Sequence, residues 1–177
     1  MDQKLLTIYL SLLLAILGVA AVVVIRQVFR TRRLEGTLSK LEKKLKEERG
    51  TVQEYYELAS IYASKKMFSQ AVVLFQKSLK GVDAEEENLA PVHNALGYAY
   101  FAQEQYDIAI RQYKEALKQN PSYVTALNNL GHVYEKKKLT SQALEVYEES
   151  LKYEPDNTTA QRRAESLRKR LATPAGS

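Results

Sequence analysis

The segment Leu96-Gly97-Tyr98-Ala99-Tyr100, followed by Ala109, Tyr113 and Pro121, returns thirty-four residues later as Leu130-Gly131-His132-Val133-Tyr134, Ala143, Tyr147 and Pro155. Leu, Gly, Tyr, Ala, Tyr and Pro all keep register over that period, the mark of a structural repeat. Each copy reads as two antiparallel helices that cannot bury their apolar faces alone and so stack on the next pair. The pairs Gly97 with Ala109 and Gly131 with Ala143 are expected to let two backbones approach closely, with Tyr100, Tyr113, Tyr134 and Tyr147 filling the wider spaces. Pro121 and Pro155 should end the second helices, because proline lacks a backbone donor and disfavours a helical residue before it.

A more degenerate copy lies upstream as Tyr55, Leu58, Ala59 and Tyr62, then Ala71 and Phe75, with Asp83 where the proline belongs and extra residues near the acidic loop Asp83-Ala84-Glu85-Glu86-Glu87. The pattern resembles the tetratricopeptide repeat (TPR) family, with units at 52–85, 90–123 and 124–157. Residues 158–171 carry Ala160, Ala164, Leu167 and Leu171 at helical spacing between Gln161, Arg162, Arg163 and Arg168, as expected of the polar-backed capping helix a solenoid needs. The predicted TPR domain is therefore 51–171, an all-α right-handed solenoid, with 172–177 as a flexible tail.

At the other end, Leu5 to Ile25 carries no charge, and at helical rise its length is about 31 Å, enough for a bilayer core. Residues 1–25 are read as a transmembrane anchor. A cleaved signal peptide is the alternative, but the small residues Gly18-Val19-Ala20 are followed by more apolar residues and then a basic stretch. Arg26, Arg30, Arg32 and Arg33 follow the run, so the positive-inside rule places the repeats in the cytoplasm or stroma and the short N-terminus outside or in the lumen. Residues 26–50 read as a basic helical stalk; Leu34, Leu38, Leu41 and Leu45 form a seam that either packs on the first repeat or supports weak self-association. Gly36 argues against a rigid stalk and Gly50 should mark its end.

The net charge of +5 hides a division. Residues 26–50 hold nine Lys or Arg against four Glu, residues 51–157 hold eleven against fifteen acids, and residues 158–177 hold five against one. The basic balance is thus no argument for nucleic acid; beside the anchor it suits anionic lipid headgroups as well as a topology determinant. Cysteine is absent, which removes disulfides and thiolate chemistry. His93 and His132 have no ligand-like spacing to each other or to a carboxylate, His93 reads as a packing residue, and the Glu85–Glu87 cluster reads as a solvated loop. No phosphate loop, zinc signature or nucleophile elbow occurs, so no catalytic residue, metal or cofactor is expected and the chain does not read as an enzyme.

Recognition remains. The first-helix residues not used between helices are expected to line a concave groove: Tyr56 and Ser60, then Asn94, Tyr98 and Phe101, then Asn128, His132 and Glu135. Aromatic rings there supply apolar area, while Asn94 and Asn128 suit a peptide backbone. TPR domains that clamp the C-terminal carboxylate of heat-shock chaperones use Lys, Asn and Arg; the matching positions here hold Tyr56, Ser60, Ala95, Thr125 and Asn129, so the resemblance implies no such clamp. Anchor, basic stalk and three units together resemble the small cyanobacterial and plastid-encoded TPR proteins that assist photosystem I assembly in thylakoids. That resemblance implies a membrane-anchored scaffold that binds photosystem I subunits or intermediates. The alternatives are a bacterial envelope scaffold and a periplasmic peptide-binding adaptor.

Overall fold

The computed structural model describes residues 3–81, 83–85 and 87–172, with side chains from Ile8 onward. The described residues form helices and turns with no strand. The expected tail lies outside them apart from Ala172, as does the start of the anchor. The helices are α1 (Gln3–Glu47), α2 (Val52–Ser64), α3 (Phe68–Ser78), α4 (Ala90–Phe101), α5 (Tyr106–Gln119), α6 (Val124–Lys136), α7 (Thr140–Tyr153) and α8 (Thr158–Ala172). The chain divides into two compact units, Met1–Lys43 and Lys44–Ser177.

In the first unit, α1 is the one helix among the described residues that is long and apolar enough to cross a membrane. Its side chains from Ile8 to Arg33 are exposed, as an apolar helix without a protein partner must be. The helix runs through Gly36 without interruption. An added Cβ at Gly18 or Gly36 would meet nothing, and one glycine costs a helix only about 1 kcal/mol.

In the second unit, α2 with α3, α4 with α5, and α6 with α7 form hairpins, and α8 packs on α7. The first helices also touch one another, α2 on α4 and α4 on α6, while no comparable contact joins α3 to α5 or α5 to α7 among the described residues. The first helices are therefore the inner layer and the second helices the outer one. Each hairpin turns through the same device. Lys66, Glu104 and Lys138 take φ of 61°, 60° and 60°, and the next amides, of Met67, Gln105 and Leu139, donate back to the carbonyls of Tyr62, Tyr100 and Tyr134 at 2.9, 3.0 and 2.9 Å. This is the Schellman closure of a helix, built without its usual glycine.

The core corrects one detail of the sequence reading. Gly97 and Gly131 do not serve chiefly to bring a backbone onto Ala109 or Ala143. A Cβ at Gly97 would lie 2.8 Å from the Tyr113 ring, and one at Gly131 would lie 2.8 Å from the Tyr147 ring. Each glycine is a seat for the tyrosine of its own second helix, and both tyrosines are almost fully buried. Among those packed around them, Ala109, Leu127, Leu130, Val133, Tyr134 and Ala143 join Ala160, Ala164 and Leu167 of α8, so the last helix closes the core of the second and third repeats.

The first repeat has its own devices. Thr51 and Glu54 form a reciprocal capping box on α2. Asp83, which replaces the proline, accepts a bond of 2.7 Å from the Val52 amide, and the buried Ser78 hydroxyl donates to the Val52 carbonyl at 2.7 Å. The loop after α3 is thereby tied to the start of α2. Farther on, Asn157 caps α8 through the Ala160 amide at 3.0 Å, and α5 and α7 stop at Gln119 and Tyr153, just ahead of Pro121 and Pro155.

Candidate functional site

The inner layer carries all eight residues singled out as groove candidates: Tyr56 and Ser60 on α2; Asn94, Tyr98 and Phe101 on α4; Asn128, His132 and Glu135 on α6. Their heptad-like offsets place them on the side of each helix away from its buried Leu and Gly or Ala. Tyr98 is 48% exposed and the rest are half-buried.

Between the second and third repeats the face is bound by amides. Asn129 donates to Asn94 Oδ1 at 3.0 Å, and Asn94 Nδ2 donates to the Tyr123 hydroxyl at 3.4 Å. Burial pushes that hydroxyl above its ordinary pKa, the nearby Tyr56 phenol adds to the rise, and the Asn94 bond opposes it. Tyr56 itself packs its ring 5.7 Å from Phe75. Tyr123 was missed in the sequence and Asn129 was weighed only as a clamp position. The signal that finds them is the spacing of Asn94 and Asn129, one repeat plus one residue apart, which sets them diagonally across neighbouring helices.

The aromatic candidates also have internal partners. Tyr98 stands edge-on to Phe68 with centroids 6.2 Å apart. Phe101 lies 5.7 Å from Tyr106 and 4.9 Å from His132, linking α4 to α6. Burial lowers the His132 pKa, the Arg163 charge lowers it further, and Glu135 pulls the other way. Glu135 accepts from the Tyr147 hydroxyl at 2.8 Å and from Arg163 at 3.4 Å. The Tyr147 hydroxyl is raised above its ordinary value, by burial first and by that carboxylate second. Asn128 accepts from the buried Ser150 hydroxyl at 2.9 Å.

Away from this face, His93 is half-buried and shares a 2.9 Å hydrogen bond with Gln112, which joins α4 to α5.

The face is thus aromatic and amide-bearing, with its one candidate carboxylate already matched to Arg163. Such a surface offers apolar contact and backbone-compatible hydrogen bonds, and it suits a peptide better than a small charged ligand.

Comparison with known proteins agrees with this geometry. Tetratricopeptide-repeat signatures match residues 89–138 and 124–157. The chain is 36% identical over 129 residues to the uncharacterized protein ycf37 of Cyanophora paradoxa, covering 73% of this chain and 75% of that one. It is 37% identical over 121 residues to the tetratricopeptide repeat domain-containing protein PYG7, chloroplastic, of Arabidopsis thaliana, covering 68% of this chain but only 40% of that longer protein. Among solved structures, MamA superposes with a TM-score of 0.72 over 81% of this chain and 82% of its own, at 22% identity, a likeness of fold. With three repeats, an inner aromatic and amide face and this relative, the chain is a tetratricopeptide-repeat protein of the ycf37 family.

Proposed function

We propose that the protein is a membrane-anchored scaffold that assists photosystem I assembly or stability at the thylakoid membrane. Residues 1–25 anchor it, residues 26–50 form a basic stalk, and residues 51–171 bind partners through the face built by Tyr56, Ser60, Asn94, Tyr98, Phe101, Asn128, His132 and Glu135. The observation that carries the reading is the exposed ring of Tyr98 on an inner layer whose Asn94 and Asn129 amides are joined by hydrogen bonds and whose Glu135 is matched to Arg163. TPR domains bind peptides and proteins, and a face whose eight named residues include no Lys or Arg favours an apolar or amide-rich segment over an acidic terminus. The plastid setting draws on the Arabidopsis relative, whose name places it in the chloroplast. The apolar α1 followed by four arginines supports the membrane and the stromal or cytoplasmic side for the repeats.

The test is affinity purification of the full chain from gently solubilised native membranes with mass spectrometry of what accompanies it. Photosystem I subunits in stoichiometric excess over other thylakoid proteins are expected. Their absence overturns the assembly reading in favour of another scaffold role. Protease added from the lumenal or outer side of sealed vesicles should leave residues 51–177 uncut, and digestion there reverses the topology.

A further inference from the structure

The outer face of the first repeat differs from those of the other two. The outward positions two, six and nine residues beyond the buried Ala71 are Val73 and Lys77 on α3 and Lys80 in the turn after it, and Arg49 joins them from the turn before α2. With Tyr55 and Gln76 they line a cleft of about 390 Å³. Arg49 is fixed there by a hydrogen bond from its guanidinium to the Lys80 carbonyl. Val73 is 51% exposed, an apolar side chain in a ring of cations. No carboxylate lines the cleft, and none pairs with Lys77 or Lys80 among the described residues.

The same positions elsewhere are built otherwise. On α5, Arg111 replaces the valine and Glu115 reaches Lys118 at 3.7 Å, so the cations are interleaved and partly matched. On α7 the first two positions are acidic, with Glu145 and Glu149 in place of Val73 and Lys77, and only the third, Lys152, is a cation. Residues 51–157 as a whole carry four more acids than bases, so Lys77 and Lys80, in no ion pair among the described residues, run against the domain's own charge; Arg49 and Lys80 also border a neighbouring hollow with Asp83 and Glu85, which leaves Lys77 and the Val73 floor on the open side. Surface cations are ordinarily solvated singly; here three of them line one concavity. The charge complement of that concavity is an acidic chain, and its floor takes one apolar side chain.

We propose that the Arg49, Lys77, Lys80 and Val73 cleft is a second docking surface, on the side opposite the inner face, for an acidic partner segment in which a leucine-like residue is flanked by Asp or Glu. The cations recognise carboxylates and set the association rate, while Val73 and Tyr55 receive the apolar side chain. The cleft lies on another face than the one assigned under the proposed function, and stands or falls without it.

The experiment uses the full chain in phosphatidylcholine nanodiscs and a fluorescein-labelled probe peptide, Glu-Asp-Leu-Glu-Glu-Leu-Asp-Glu, with a twin in which every acid is lysine. Fluorescence anisotropy should show the acidic probe binding at least about tenfold more tightly than its twin. The preference should vanish in Lys77→Glu/Lys80→Glu, weaken at about 0.5 M salt, and survive both Tyr98→Ala and the charge-matched control Lys114→Glu/Lys118→Glu. Circular dichroism melts of wild type, Lys77→Glu/Lys80→Glu and Lys114→Glu/Lys118→Glu should coincide, since those lysines are exposed. Equal binding of the two probes overturns the proposal, as does a preference that Lys114→Glu/Lys118→Glu removes equally, which is nonspecific attraction. Sedimentation decides the remaining occupant: a dimer of wild type that Lys77→Glu/Lys80→Glu makes monomeric assigns the cleft to a second copy and overturns it too.

Discussion

The first and third repeats solve one packing problem in two ways. In the third, Gly131 has no side chain and the Tyr147 ring lies over it, its hydroxyl tied to Glu135 at 2.8 Å. In the first, both partners change: Ala59 stands where the glycine was, and Phe75, without a hydroxyl, stands where the tyrosine was, turned 5.7 Å from Tyr56. The difference teaches that the repeat conserves the joint volume of a crossing and not either residue alone. A methyl group gained on the first helix is matched by a ring that has lost its polar end.

That comparison breaks most sharply at Gly131→Leu. The new side chain must enter space held by a fully buried ring, and overpacking usually costs about 1–3 kcal/mol, so a loss of about 3 kcal/mol or more is expected in chemical denaturation of the full chain in detergent. A melt within error of wild type would refute the seat. The gentler exchange is more telling. Gly131→Ala should cost roughly 1–2 kcal/mol because its Cβ meets ring atoms 2.8 Å away, whereas Ala59→Gly should cost only about 1 kcal/mol, mostly from helix propensity. Adding Phe75→Tyr to Ala59→Gly should recover part of that loss, and the same addition to wild-type Ala59 should not.

The third repeat should also be the pH-sensitive one. Burial and Arg163 hold His132 below the ordinary value of 6.5, so the unfolded chain takes up the proton first as pH falls. The contribution of this site is complete above pH about 6.5 and is lost as pH drops through the lowered folded value. His132→Asn should therefore flatten the melting-temperature decline between pH 7.5 and 5.5, and an unchanged slope would place the titration elsewhere. The smallest effect lies where first and third repeats agree. Lys66 and Lys138 both hold positive φ, so Lys66→Gly and Lys138→Gly should each add about 0.5 kcal/mol by relieving a conformation that side chains disfavour. A loss at either would show that the side chain contributes more than the strain.

Much of this was legible because repetition converts weak residue signals into a register. Leu96 with Leu130, Gly97 with Gly131 and Tyr113 with Tyr147 announced repeating pairs of helices, and the described residues are helical with no strand. The uncharged run up to Ile25 likewise announced a long apolar helix, as its length alone requires. What stayed hidden depends on how side chains turn once the helices cross. Spacing placed Gly97 near Ala109, but the Tyr113 rotamer decides what covers the glycine. On the inner face, the positions of Asn94, Asn128 and Glu135 were readable, while their bonds to Tyr123, Ser150, Tyr147 and Arg163 were not, because those partners come from other helices.

Those bonds sharpen the central claim, that the inner face carries the partner. Phe101 and Glu135 also hold helices together, so their loss mixes folding with binding; Tyr98, half exposed and resting on Phe68 alone among aromatic rings, separates the two. The direct measurement compares wild type and Tyr98→Ala in quantitative pull-downs of photosystem I subunits from solubilised thylakoids, with melts of both proteins alongside. The account predicts an affinity loss of about 2 kcal/mol, typical of a buried aromatic anchor, beside a melt lowered by no more than about 1.5 kcal/mol for the lost ring contact. Wild-type recovery of photosystem I subunits by Tyr98→Ala would contradict it and move the interaction off the inner face.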